Sequence, residues 1–510
     1  MPLSACAGDI QPSGEEQTTL GSASALDEIP AATFVVLYKR EAVPKSAKKD
    51  IEKAGGELVA SYPEIGVVIA TGHTQSFASK LEARPEIDSV AATTGAGTSA
   101  LPVHMAWSDV KSPRPAPTSP EPLSGYQWNN DIIHVKEAHR ITKGAKSVMV
   151  AVMDSGVDDS LPDLKGQISA GNSASCIGGF ADTRHDSWGR DIVGHGSHVA
   201  GIIAAKENGH GIGGIAPGVT LASIKVTDDG FVYPESFICG MYWAATHDIP
   251  LVNGSIYIDP WYFSCPSDPV QKTLMTAQQR AVNFASRKGT TMFAAASNEQ
   301  IDLAHPTVDY FSPTDAETVE RNIDSSCKLL PVGLDGVIGV SAIGGDKNMA
   351  YYSNYGLGIV DIASPGGDLH VPMPGNASGQ ILSPMPSDSW YFLDAINWNG
   401  RVGVNCADGL DPNDPNSDPS TCAETYGLMQ GTSMATPHAT AVAALVMSRF
   451  GKLSPTLLKA HMGLRAQHTA CPANPYQPYP DDMPEMNCEG SPLYNGFYGS
   501  GIADAYAAVR

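Results

Sequence analysis

The sequence predicts an α/β protein: a mostly parallel sheet with helices on both faces, preceded by a small βαββαβ domain of ferredoxin-like order. Three observations carry this. From Trp128 onward, apolar strand-like runs alternate with helical patterns, the rhythm of a parallel sheet with crossover helices. Residues 33–91 instead read strand, helix, strand, strand, helix, strand. Charge divides the two parts: residues 31–100 hold 8 Lys+Arg and 8 Asp+Glu, whereas the 510-residue chain carries −22.

The elements follow in order. Residues 1–30 are small and polar, with five acids and no Lys or Arg, and read as a flexible segment. Thr33 to Lys39 is rich in Val and aromatics and reads as a strand. Pro44 to Ala54 reads as a helix, with Pro near its start and Gly55-Gly56 at its end. Glu57–Ser61 and Gly66–Ala70 are strands about a turn at Tyr62-Pro63. Thr74–Ala83 is a helix with Thr74 as its cap, and Ile87–Ala91 closes the domain. Residues 101–126 form a linker, with five prolines between Lys111 and Pro122. Beyond it, Val148–Met153, Thr220–Val226, Pro250–Ile256, Thr291–Ala296 and Val337–Ala342 read as buried strands. Helices are expected from His198, over Pro234–Thr246, over Gln278–Lys288 and over Met434–Arg449. Residues 370–425, rich in Pro, Asn and Asp, read as a surface insertion within the domain 127–510.

Composition narrows the function. Apolar residues make up 42%, enough for a packed core. A charge of −22 suits cations and not the phosphates of nucleic acid. No apolar run reaches the length of a membrane-spanning helix. Of nine cysteines, eight lie beyond residue 170, an even number that fits four disulfides in an exported protein. Their connectivity stays open, with Cys406–Cys422 and Cys471–Cys488 favoured by short loops. The ninth closes Leu3-Ser4-Ala5-Cys6, which resembles the lipobox of bacterial lipoproteins and implies a lipid anchor at Cys6.

Three segments carry chemistry. Val150-Ala-Val-Met-Asp154-Ser-Gly156 ends a buried strand on an acid. Gly194-His195-Gly196-Ser-His198-Val-Ala-Gly201 sets a histidine among glycines at a helix start. Gly431-Thr432-Ser433-Met434-Ala-Thr-Pro437-His sets a serine at the start of an apolar helix. Singly, each has an ordinary explanation: a strand-end turn, a Gly-flanked core histidine, a helix cap. Together they supply a nucleophile, a base and the acid that orients the base. A serine at a helix N-terminus also has free backbone N–H groups for an oxyanion. The G-x-S-x-G elbow of another hydrolase class is absent, because position 435 is Ala.

These motifs, in the order Asp154, His195, Ser433, resemble those of the subtilisin-like serine proteases, or subtilases, over the chain from about Trp128 to its end. Ser175-Cys176, Asp259-Pro-Trp261, Tyr352-Ser-Asn-Tyr355-Gly and Ser364-Pro-Gly-Gly-Asp368 are similar to stretches in exported actinobacterial members. The resemblance implies a subtilisin-like fold and a secreted serine endopeptidase working through an acyl-enzyme. It implies that Asn298, in Ala294-Ala295-Ala296-Ser297-Asn298, donates to the oxyanion, with Thr432 in support. Ser297 stands where the family has Gly, which puts a side chain near the primary substrate pocket. Ser255, Ile256 and Tyr257, with Ala295, Ala296 and Ser297, are the implied substrate-binding residues, Tyr257 replacing a Gly. The small N-terminal domain resembles the family's propeptide, an intramolecular chaperone and inhibitor removed by self-cleavage, here within Thr93–Gln127. Structural Ca²⁺ is implied at Gln127, Asp163, Lys206, Asn208, His210 and Ile212, through side-chain oxygens of Gln127, Asp163 and Asn208 and backbone carbonyls of the rest. A monomer acting on protein or peptide substrates is expected. The rival reading is an inert relative that binds peptides without turnover.

Overall fold

The structure is a computed structural model that describes residues 32–72, 76–94, 121–373, 379–386, 389, 401–406, 422–479 and 484–510, with side chains left out at 401–406 and 422–425. Residues 1–31, which include Cys6, and the linker 95–120 lie outside the described residues.

The N-terminal domain has the expected order. Strands β1 (Ala32–Tyr38), β2 (Gly56–Tyr62), β3 (Val67–Gly72) and β4 (Ile87–Ala92) form an antiparallel sheet in the order β2-β3-β1-β4. Ala32 pairs with Gly72 and Phe34 with Ala92. Helix Phe77–Glu82 begins three residues later than expected, and Thr74 lies outside the described residues. Side chains alternate across a strand, so the continuous apolar run of β1 buries both faces. Val36 and Tyr38 pack under the two helices with Ile51, Phe77 and Leu81. Val35 and Leu37 face the other way, with Val67 and Ile69, into a core shared with Phe237, Ile238 and Phe284 of the larger domain.

The larger domain is built on a seven-stranded parallel sheet. Its strands are β5 (Met149–Asp154), β6 (Ala174–Ser175), β7 (Thr220–Lys225), β8 (Leu251–Gly254), β9 (Thr291–Ala295), β12 (Ile338–Ile343) and β13 (Ile362–Pro365), with a separate short ribbon of β10 (Val308–Asp309) and β11 (Arg321–Asn322) between β9 and β12. The order is β13-β12-β9-β8-β5-β7-β6, every neighbouring pair parallel. Helices His195–Ala204 and Thr432–Phe450 pack together on one face, and Pro234–Thr246 and Pro269–Arg287 on the other. The last of these starts nine residues before its expected start at Gln278. Asp268 caps it, accepting from Gln271 N at 3.0 Å, and Pro269 takes the first helical position.

Part of the expected surface insertion belongs to the core. Strand β14 (Ile381–Pro384) is buried along its length and joins β15 (Arg401–Cys406) and β16 (Cys422–Met429) in an antiparallel sheet. His198 Nε2 bonds to the Ile381 and Gly427 carbonyls at 3.2 and 3.0 Å, so this sheet lies against the helix that opens with His195. Disulfides join Cys176 to Cys239, Cys265 to Cys327 and Cys471 to Cys488. Cys406 and Cys422 are opposite each other in strand register, with side chains outside the described residues.

Candidate active site

In a parallel sheet, all strand carboxyl ends share one edge, the usual place for a site in an open α/β fold. Asp154 ends β5, Ser255 follows β8 and Asn298 follows β9. His195 opens its helix and Ser433 is the second residue of helix Thr432–Phe450. The sequence's separate motifs are thus assembled from three strand ends and two helix starts.

His195 Nδ1 pairs with Asp154 Oδ1 at 2.8 Å. Holding the proton on Nδ1 leaves Nε2 as the ring's acceptor. Burial alone would lower the imidazole's pKa. The Asp154 charge and hydrogen bond, with a contribution from Asp191, outweigh burial and raise it. The Ser433 hydroxyl donates to the Ser255 carbonyl at 3.4 Å, and the Ser255 hydroxyl returns a 2.7 Å bond to the Ser433 carbonyl. That hydroxyl bond must be given up before His195 can take the proton. Gly196 permits the close packing: a Cβ there would lie 2.0 Å from the Gly156 carbonyl oxygen.

Asp191 is a residue that sequence reasoning missed. Its Oδ1 accepts from Ser155 Oγ and Gly194 N, and its Oδ2 from Ser197 N, each at 2.8 Å. Ser155 Oγ in turn accepts from Gly196 N at 3.0 Å. The backbone on both sides of His195 is thereby tied to one buried carboxylate. The only sequence signal was an acid four positions before a Gly-flanked histidine.

The oxyanion elements converge on Gly431. A Cβ placed on Gly431 would lie 3.5 Å from Ser433 N, 3.5 Å from Asn298 Oδ1 and 3.7 Å from Asn298 Nδ2, so the Ser433 N–H and the Asn298 amide border the same small space. Thr432, expected to support the oxyanion, has its donors committed elsewhere. Its N–H and hydroxyl both donate to Asn298 Oδ1, at 2.8 and 3.1 Å, and the hydroxyl accepts from Ser297 N at 3.0 Å. These bonds fix which end of the Asn298 amide is the oxygen and leave its NH₂ to the site.

Of the expected substrate-binding residues, Ala295 and Ala296 are buried at the end of β9, and Ile256 and Tyr257 are half-buried beyond β8. Tyr257 packs edge-on against Tyr262, with ring centroids 5.4 Å apart. Ser255 is engaged with the nucleophile's own backbone. Ser297 is 6% exposed at φ 76°, and its hydroxyl interacts with Glu299 and Tyr262. Tyr262 and Phe263 are buried in the core beneath their loop.

The expected calcium loop gathers around Asp163, which is fully buried. Asp163 Oδ2 accepts from Ile212 N at 3.1 Å and Tyr426 Oη at 2.8 Å, while Oδ1 has no partner among the described residues. Lys206 N donates to the Asp163 carbonyl at 2.8 Å, and Asn208 lies beside Asp163 and bonds the Pro162 carbonyl at 3.2 Å. His210 N donates to Asn208 Oδ1 at 2.9 Å. The Gln127 amide does not reach Asp163 and instead bonds Gly213 through both its atoms, at 2.8 and 3.3 Å. Glu121, which the sequence did not single out, holds Gly209 N at 3.1 Å. Burial first, then the Glu121 charge, push the Asp163 carboxyl up to about 6, against its hydrogen bonds. An orphaned buried carboxylate oxygen beside Asn208 has the chemistry a hard cation takes, although no group of three or more acidic, His or Cys side chains gathers there among the described residues.

The Subtilase family (Peptidase_S8) signature matches residues 145–499. Fervidolysin of Fervidobacterium pennivorans is 29% identical over 345 residues, 66% of this chain but 39% of that protein. Subtilisin DY of Bacillus licheniformis is 28% identical over 329 residues, 64% of this chain and 85% of that protein. The chain therefore spans well under half of fervidolysin's length. In fold, the epidermin leader peptide processing serine protease of Staphylococcus aureus superposes with a TM-score of 0.64 at 20% identity, over 94% of this chain and 98% of that one. With the family's motifs gathered at one sheet edge and its signature covering most of the chain, this protein belongs to the subtilase family.

Proposed function

We propose that the chain is the precursor of a secreted serine endopeptidase. The observation that supports the reading is the nearness of the Asn298 amide and the Ser433 N–H to Gly431, at the sheet edge where His195 pairs with Asp154. Ser433 Oγ attacks the scissile carbonyl while His195 Nε2 accepts its proton. The oxyanion forms against Asn298 Nδ2 and Ser433 N. His195 then protonates the leaving amine, and water resolves the acyl-enzyme by the same steps reversed. Asp154 holds the ring and stabilises its charged form.

The N-terminal domain is read as the propeptide. Its β-sheet face lies on helices Pro234–Thr246 and Pro269–Arg287, with Arg280 donating to the Tyr38 and Ile65 carbonyls at 2.8 and 3.2 Å. Thr93, at its end, is buried, which fits a chain leaving toward a cleavage point in the linker. The disulfides support an oxidising, extracellular setting. Ca²⁺, held by Asp163 and Asn208, would add stability and take no part in the reaction.

A fluorophosphonate probe tests this. Labelling at Ser433 that rises when residues 1–125 are removed supports an inhibited precursor. Ser433→Ala should lose labelling and stay at full length in pure preparation. An unlabelled Ser433 in the shortened chain would favour the inert relative instead.

A further inference from the structure

The turn that bears Asn298 is unusual in its backbone. Ser297 and Gln300 both take left-handed conformations, at φ 76° and 61°, which cost non-glycine residues of order 1 kcal/mol or more. Such a turn persists only where its surroundings over-determine it. Here the surroundings centre on one carboxylate. Glu299 Oε2 accepts from Asn298 N at 2.8 Å, from Asn354 Nδ2 at 3.2 Å and from the Tyr262 hydroxyl. Asn354 Nδ2 also bonds Tyr262 Oη at 2.9 Å. Asn354 Oδ1 accepts from Glu299 N and Ile301 N at 3.0 and 2.8 Å, and Asn354 N donates to the Ser297 carbonyl at 3.0 Å. The Ser297 hydroxyl completes the group.

We propose that Glu299 is the positioning residue for the oxyanion donor, fixing the backbone of Asn298 through a network that Tyr262 and Asn354 anchor. The inference rests on the protease reading above. Asn298 is then held from two sides. Thr432 fixes its side-chain oxygen, and Glu299 fixes its N–H. The three donors converge on a single carboxylate oxygen, and their bonds are charge-assisted, and stronger than neutral ones, when that acid is ionised. Burial pushes the Glu299 carboxyl up, and the Tyr262, Ser297, Asn298 and Asn354 bonds oppose that. A buried acid of this kind is costly to keep unless its partners are satisfied. A donor that stabilises the transition state depends on placement within a fraction of an ångström, and a misplacement of about 1 Å can cost about 10²-fold.

The test is a double-mutant cycle on peptide hydrolysis by the processed enzyme. Glu299→Gln keeps the shape and removes the charge; it should lower kcat by about tenfold, with KM changing by less than about twofold. Tyr262→Phe removes one donor with little change of volume and should lower kcat by about threefold, again sparing KM. In an Asn298→Ala background neither change should cost more than about twofold, because the donor they place is gone. Equal losses in both backgrounds, an effect on KM in place of kcat, or an unchanged kcat in both variants would overturn the proposal. A merely structural role would lower the melting temperature without this coupling. A wild-type chain that labels with fluorophosphonate and hydrolyses peptide confines any such failure to Glu299. A wild type that does neither overturns the protease reading as well.

Discussion

The active-site edge and the contact beneath the N-terminal domain are both buried, yet they are built differently. At the active-site edge, two buried carboxylates are each satisfied several times over, although Asp154 Oδ2 has no partner among the described residues. Asp191 alone holds Ser155, Gly194 and Ser197, and Glu299 holds Asn298, Tyr262 and Asn354. Beneath the N-terminal domain, an apolar face meets two helices, with a buried bond from Tyr62 Oη to the Gly179 carbonyl at 2.6 Å and further polar bonds from Arg280, Tyr242 and Arg287. Within it Glu235 is 4% exposed, and its Oε2 has no partner among the described residues. Interlocked hydrogen bonds about Asp191 and Glu299 resist displacement, whereas an apolar face that covers a buried acid is more readily left behind when that acid takes up charge. The difference matches the roles proposed for them, a fixed catalytic edge and a releasable cover.

The fixed half is broken most severely at its oxyanion donor. Asn298→Leu should cut kcat by about 10²–10³ with little change in KM, the general cost of losing one such donor, for which a subtilisin is itself the standard example. Steady-state kinetics on a peptide substrate checks it. A kcat near wild type would place the donor elsewhere.

The releasable half should answer to pH. Burial raises the Glu235 carboxyl to about 7, against hydrogen bonds that include Thr93. Its carbon chain lies near Gly179 and Ile69, and its charge bears on Tyr62, so it is covered by the N-terminal domain. Once that domain leaves, the carboxyl returns toward its ordinary value. The protonated form therefore favours the covered state. Binding is full below about 4.5, weakens as pH rises, and levels off above about 7. The dissociation constant should grow by about two orders of magnitude across that range. Ser433→Ala protein, cut in its linker by an added protease, allows retention of the domain to be measured without interference from catalysis. Glu235→Gln should flatten the dependence, and a wild-type curve already flat would remove Glu235 from the account.

The loop around Asp163 stands between the two halves: closed by hydrogen bonds except at one carboxylate oxygen. If Ca²⁺ completes it, chelator should lower the melting temperature, since a ligand at about 100 times its Kd stabilises by about 2.7 kcal/mol. Asp163→Ala should erase most of that difference. An equal melting temperature with and without chelator would leave the loop without a metal.

What could be read from the sequence followed the range of the interactions. Asp154, His195 and Ser433 announce themselves by local pattern, glycines beside a base and a helix start beside a nucleophile. The six N-terminal elements are local too, each set by its own apolar period and turn residues. Asp191 was hidden because nothing nearby marks a single acid as buried. Glu299 was hidden because its partners Tyr262 and Asn354 lie 37 and 55 residues away in sequence. The burial of β14 was missed because polar composition around it outweighed the short run Ile381-Leu382. The helix start at Pro269 was legible in principle, since Asp268-Pro269 is a cap followed by a favoured first residue.

Ser297 offers the finest cut between the two ways of building. The sequence suggested a side chain that narrows the substrate pocket. In the structure its hydroxyl turns toward Glu299 and Tyr262, and its backbone sits at φ 76°. Ser297→Gly relieves the left-handed strain, about 1 kcal/mol, but gives the unfolded chain more freedom by a similar amount and removes one bond to Glu299. The two large terms nearly cancel, so the melting temperature should move by less than about 3 °C. Because Glu299 keeps Asn298, Tyr262 and Asn354, kcat should fall by no more than about threefold. Residue preference before the cut should hardly change, because the hydroxyl faces the network. A peptide-library profile that widens sharply in Ser297→Gly would show that the hydroxyl bounds the pocket after all. A fall in kcat as large as that of Glu299→Gln would instead make Ser297 an equal member of the network that holds Asn298.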